Sequence, residues 1–245
     1  MSFRRILGLF LLGFLVMHLV DGWMKEVAYL FKALVTLILL LTIILLGTNR
    51  DRDERWKERL ENLGLRRPAT SGLWRSLVHA GLLILAYPLI SRILHVSIIL
   101  SPQWFQHLAG LFLTAGLSEE LLFRGLVLGQ LRQRNSFRKA TGWSLLLFTL
   151  AHTAMFLYMP FPIAMASTLL AAGLSIPMSW LYESSGKSLW GPILLHVVIR
   201  TVGFVLVPEG GGLTEFALAW MTASLVIPLG LVLLDPAFRK AWRKD

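Results

Sequence analysis

The chain of 245 residues contains no cysteine, which excludes disulfides, thiolate catalysis and thiolate-bound zinc or iron–sulfur centres. It is also short of charge: 16% of its residues are charged, against roughly 25% in soluble domains. Aspartate occurs only as Asp21, Asp51, Asp53, Asp235 and Asp245, away from the middle of every apolar run, which excludes an intramembrane aspartyl dyad. The His-Glu-x-x-His helix of zinc peptidases and the Gly-x-Ser-x-Gly turn of serine hydrolases are both missing. Chemistry is left to Glu, His, Arg, Ser or Lys.

What is abundant is apolar sequence, with 56% hydrophobic residues in runs long enough to cross a bilayer core of about 30 Å. Eight such runs are read, at about 6–21, 27–47, 77–99, 105–130, 142–159, 162–182, 189–207 and 215–234. The expected fold is an all-α, multi-pass membrane protein of about eight transmembrane helices. No small-residue cleavage site follows the first run, so it is read as a retained span rather than a secretory signal.

Alternate threading of these spans places 19 of the 24 basic residues on one side, which the positive-inside rule makes cytoplasmic together with both termini. Lys25, Lys32 and Arg92 fall on the other side. The formal charge of +10 is thereby explained by topology, and no nucleic-acid partner is expected. Residues 1–75 read as an N-terminal hairpin with a charged loop, and residues 76–245 as the membrane core. The mixed charges from Asp51, Asp53 and Glu54 to Glu61 suit a short solvated helix. Trp23, Trp74, Trp104, Trp143, Trp180 and Trp190 lie near span ends, where indoles anchor at the membrane interface.

Ionisable side chains at mid-membrane are costly and mark function. The fourth span carries Glu119, Glu120 and Arg124, the fifth His152, and the seventh His196 and Arg200. A rise of 1.5 Å per residue puts Glu119, His152 and Arg200 about 15–16 Å deep and His196 about 10 Å deep, so three helices converge on one layer. Glu120 and Arg124 are i,i+4 neighbours that would neutralise each other, leaving Glu119 to face a polar cavity. His18, His79, His95 and His107 have no comparable setting and are read as structural, and Ser118 as locally hydrogen-bonded.

The pattern Glu119-Glu120-x-x-x-Arg124, Phe148-x-x-x-His152 and His196-x-x-x-Arg200 resembles that of the CAAX protease and bacteriocin-processing family of glutamate-type intramembrane endopeptidases. The motif-bearing part spans roughly 105–207. Arg200 stands where the family has Asn or Asp. The resemblance implies that Glu119 activates a water also held by His152, while His196 and the residue at 200 stabilise the oxyanion, with Glu120, Arg124 and Phe148 in support. The expected substrate is a membrane-anchored protein or peptide, and the setting the cytoplasmic membrane of a prokaryote. No cofactor is expected; the chemical rival is a zinc-like ion at Glu119, His152 and His196. The competing functions are a proton-coupled transporter or relay, and a catalytically silent scaffold.

Overall fold

The computed structural model describes residues 1–24, 28–48, 55–209 and 212–244. Lys25, Val27, Arg50, Asp51, Asp53, Glu54 and Asp245 lie outside the described residues. Helix α1 spans Phe3–Trp23 and α2 Tyr29–Thr48; the short α3, Trp56–Asn62, is the solvated helix expected after them. Helix α4 covers Thr70–Leu94 and is followed by strand β1, Ser97–Leu100. The fourth span is one continuous helical rod with mixed winding: α5, Trp104–Leu111, two π-helical segments, Phe112–Glu119 and Leu121–Leu128, and α6, Gly129–Leu131. Then come α7 (Phe137–His152), a 3₁₀ turn (Thr153–Leu157), α8 (Phe161–Ser184), α9 (Trp190–Arg200), β2 (Leu206–Glu209), α10 (Leu213–Leu234) and α11 (Pro236–Arg243).

Six of these helices are long and apolar enough to cross a membrane, yet only 22–33% of each apolar window is buried inside the protein. Leu46, Leu85 and Leu234 are among many leucines left outward-facing. Water would not tolerate so much exposed apolar surface, but lipid does. The chain is an integral, multi-pass, all-α membrane protein.

The π-wound rod sits in the middle of the bundle, with α1, α2, α7, α8 and α9 packed around it. Every residue from Leu121 to Leu128 is buried. Phe10 of α1, Leu40 and Ile44 of α2, Phe148 of α7 and Ile193 of α9 share its apolar cluster. A second cluster joins α4, α8, α9 and α10 through Leu83, Tyr87, Met178, Leu195 and Trp220.

Two expected spans end differently from the sequence reading. Helix α4 stops at His95, whose φ of 53° is left-handed, and α9 stops at Arg200, with Gly203 at φ 83° soon after. The apolar residues beyond them pair instead as the antiparallel ribbon β1/β2, with Ile98 opposite Pro208 and Ile99 opposite Val207. Short runs rich in β-branched residues do not distinguish strand from helix by periodicity.

At the basic end of the bundle, Trp180 is corrected from anchor to interior: it is buried, and its indole donates to Asp235 at 3.0 Å. Arg75 donates to the same carboxylate at 2.8 Å, and the Ala237 amide to its other oxygen at 2.8 Å. Phe137, Phe238 and Trp242 close an aromatic cluster around Trp180 that folds α11 back onto the bundle. Burial raises the Asp235 carboxyl, but the hydrogen bonds from Arg75, Ala237 and Trp180 outweigh it and hold the group below its ordinary value. The linkage stabilises the fold fully above the ordinary carboxyl pKa and is lost as pH falls through the lower folded value. Thermal unfolding in detergent should therefore drop for the wild type as pH goes below about 4. Asp235→Asn should be less stable at neutral pH and flatter over that acid range; parallel curves would refute the assignment.

Gly72 of α4 lies against the backbone of Ser185, just past α8, and a Cβ there would overlap its N and Cα. Ser185 is pinned, accepting from the Ala69 amide at 2.9 Å and donating its hydroxyl to the Tyr182 and Ser188 carbonyls. Gly72→Ala should cost about 1–3 kcal/mol by overpacking. Gly81→Ala, where nothing lies within 4 Å, should leave the detergent melting temperature unchanged.

Candidate active site

The rod brings Glu119 and Glu120 to the junction of its two π segments. A π turn is rare and concentrates at functional sites, because it re-aims side chains that an α-helix would carry elsewhere. The hydroxyl of Ser118 follows the same winding and donates to the carbonyl of Leu113, five residues back, at 2.8 Å. Gly116 allows α9 to approach: a Cβ there would meet Val197 and Ile193 at 3.0 and 3.2 Å. This close approach sets the α9 face that bears His196 beside the two glutamates.

Glu120 and Arg124 are both fully buried, and the Arg124 Nη1 donates to Glu120 Oε1 at 3.0 Å. The same oxygen accepts from His196 Nδ1 at 2.7 Å. On the other edge of that imidazole, Nε2 stands 3.8 Å from Glu119 Oε2. His196 is thus bracketed by two carboxylates, one buried and locked, the other 22% exposed. The bond to Glu120 fixes the ring orientation and leaves Nε2 turned toward Glu119.

Phe148 is the hub of the remaining contacts. Its ring lies under the Arg124 guanidinium at 4.6 Å and meets His152 edge-on at 4.5 Å and His196 at 6.3 Å between centroids. The ring covers a guanidinium whose Nε and Nη2 have no hydrogen-bond partner among the described residues, as is also true of Glu120 Oε2. His152 donates from Nδ1 to the Phe148 carbonyl at 2.9 Å, which leaves its Nε2 as an acceptor.

A cavity of about 360 Å³ is lined by Phe148, His152, His196 and Arg200, with Met155, Leu174 and other apolar residues of α8 and α10. Arg200 lies one turn beyond His196, with its guanidinium 5.7 Å from the centre of the Phe204 ring. The structure brings Glu119, Glu120, Arg124 and His196 into direct contact and joins His152 to them through Phe148. It puts Arg200 on the same cavity but apart from the carboxylates.

The Glu120–His196 bond was not legible in the sequence, since i,i+4 spacing reports only the pairing within one helix. Trp220 is a further residue that pattern reading passed over. Buried in mid-span, it lines the cavity and donates to the Ile199 carbonyl at 2.8 Å, steadying the last turn of α9. An indole away from a span end was the available signal, because a buried Trp N–H needs a partner. The four other histidines are structural: His18, His79 and His107 bond backbone carbonyls and His95 caps α4.

Residues 100–202 match the family model of type II CAAX prenyl endopeptidase Rce1-like proteins. This segment is similar to the Rce1-like family. That is the family to which the motifs pointed. The Rce1-like segment holds every residue of the cluster and the whole π-wound rod, but leaves out α1, α2, α4 and α10, which pack around it. No curated protein matches the chain significantly.

Proposed function

We propose that the protein is an intramembrane endopeptidase that hydrolyses a peptide bond of a membrane-associated protein or peptide with water activated by Glu119. The observation that carries this reading is the bracketed imidazole: His196 held by Glu120 at 2.7 Å and facing Glu119 at 3.8 Å. His196 and His152 line the same cavity.

In this mechanism His152 Nε2 accepts a hydrogen bond from the water and Glu119 takes its proton as the oxygen attacks the carbonyl carbon. His196 faces the developing oxyanion with the edge of its ring that is turned away from Glu120. Glu119 returns the proton to the amide nitrogen, the C–N bond breaks, and a new carboxylate and a new amine leave. Phe148 and the Glu120–Arg124 pair hold the two imidazoles in place.

The mechanism is metal-free. Glu120 Oε1 is already taken by Arg124 and His196, and a cation would sit beside a guanidinium. Among the described residues no three His, Asp or Glu side chains are arranged to hold a metal ion. The membrane assigned is the cytoplasmic membrane of a prokaryote, with the basic end of the bundle inside. The test is mass spectrometry of membrane-protein termini from cells carrying wild-type or Glu119→Gln protein. At least one terminus should require Glu119; identical sets would sink the proposal.

A further inference from the structure

We propose that α11 and the neighbouring faces of α8 and α10 bind one anionic phospholipid, with its phosphate on Arg239 and Arg243 and the start of one acyl chain in an apolar slot beside them. The proposal is independent of the endopeptidase reading and rests only on the chain's place in a bilayer.

Helical spacing sorts α11 into two faces. Phe238 and Trp242, four apart, turn with Ala241 toward the bundle. Arg239 and Arg243, and likewise Lys240 and Lys244, are four apart and exposed on the other side. Helix α10, which precedes it, has 22 residues, a rise of about 33 Å that suffices to cross a hydrocarbon core. Its last residues, Leu233 and Leu234, face outward, so α11 begins where acyl chains give way to headgroups.

Two hollows meet on this helix. A recess of about 500 Å³ is lined by Pro236, Arg239, Lys240, Arg243 and Lys244. A slot of about 260 Å³ lies beside it, walled by Ile176 of α8, Leu233 of α10, Phe238 and Trp242. Arg239 and Arg243 border both, so the same two guanidiniums have a polar space on one side and an apolar one on the other. That is the layout of a lipid head joined to its chain. None of the four cations has an ion-pair partner among the described residues, whereas Arg75 and Arg132 are held by Asp235 and Glu183 at 2.8 Å. Guanidinium forks match phosphate oxygens with paired hydrogen bonds, and clustered cations at a membrane edge attract anionic lipid. The site is also built in advance. Asp235 joins α10 to α11 and accepts from Arg75, Trp180 and Ala237, which fixes the angle of α11 before a lipid arrives. A free phosphate would occupy the recess alone; the slot commits the site to a lipid.

The plainer role for the four cations is a solvated positive face that sets topology, in which any two are equivalent. Full-length protein in detergent is titrated with dioleoyl phosphatidylglycerol, dioleoyl phosphatidylcholine or glycerol 3-phosphate, and bound molecules are counted by native mass spectrometry. The protein should hold one phosphatidylglycerol at least about tenfold more tightly than phosphatidylcholine, and the chainless phosphate at least about 100-fold more weakly than either lipid. Arg239→Gln/Arg243→Gln should abolish the preference for phosphatidylglycerol. Lys240→Gln/Lys244→Gln removes the same charge and should keep most of it. Leu233→Trp, which fills the slot, should weaken both lipids by about fivefold or more. All five substituted residues are exposed, so the variants should melt with the wild type. Equal binding of the two lipids, equal losses from the two double variants, glycerol 3-phosphate bound as tightly as lipid, or undiminished lipid binding by Leu233→Trp would each overturn the proposal.

Discussion

Glu119→Gln should reduce cleavage by about 10²–10⁴-fold, the usual contribution of a general base, while leaving the protein folded. Glu119 is partly exposed, and among the described residues its carboxylate makes no hydrogen bond; it stands 3.8 Å from His196 Nε2. Removing its charge therefore breaks no structural pair. His152→Ala should give a loss of similar order, because the acceptor nitrogen that orients water disappears while the Phe148 carbonyl loses only one donor. The check is kcat/KM on a substrate found by terminal mapping, alongside detergent melting curves. Full activity in Glu119→Gln, or a collapse of its melting temperature, would contradict the assignment.

The opposite signature is expected one residue on. Glu120→Leu should destabilise the bundle by about 3–5 kcal/mol, the usual penalty for leaving one member of a buried ion pair without its partner. Arg124 is fully buried, and two of its nitrogens already lack hydrogen bonds among the described residues. Glu120→Leu/Arg124→Leu should recover much of that stability, since an apolar pair of similar volume avoids the buried charge. It should not recover activity, because His196 no longer has the carboxylate that turns its ring. Melting curves and cleavage rates on the same three proteins decide the matter. A double variant as unstable as the single one would show that the pair is not what holds the rod in place.

The order of the spans and the inward placement of the Glu, His and Arg residues were legible because charge is so rare in this chain that each ionisable group stands out. Glu120–Arg124 followed directly from helical spacing. What was hidden depends on winding and tertiary register. Apolar periodicity does not separate a π turn from an α turn when every flanking residue, from Leu121 to Leu128, is buried. Ser97–Leu100 reads as more of the same helix, and only its pairing with Leu206–Glu209 makes it a strand. Trp180 lies at a span end like the interfacial tryptophans, and only the position of Asp235, a distant residue, turns it inward. The bond from His196 to Glu120 crosses 76 residues, a relation that no local pattern carries.

The central rod has a consequence for how the chain enters its membrane. Carrying Glu119, Glu120 and Arg124, it pays about 2.5–3.5 kcal/mol for a charge at its centre during insertion, unlike the six strongly apolar helices. Helices α1 and α2 pack on its two π segments and leave the ribosome before it. The first hairpin therefore offers the polar rod a protein surface to settle against in place of hydrocarbon.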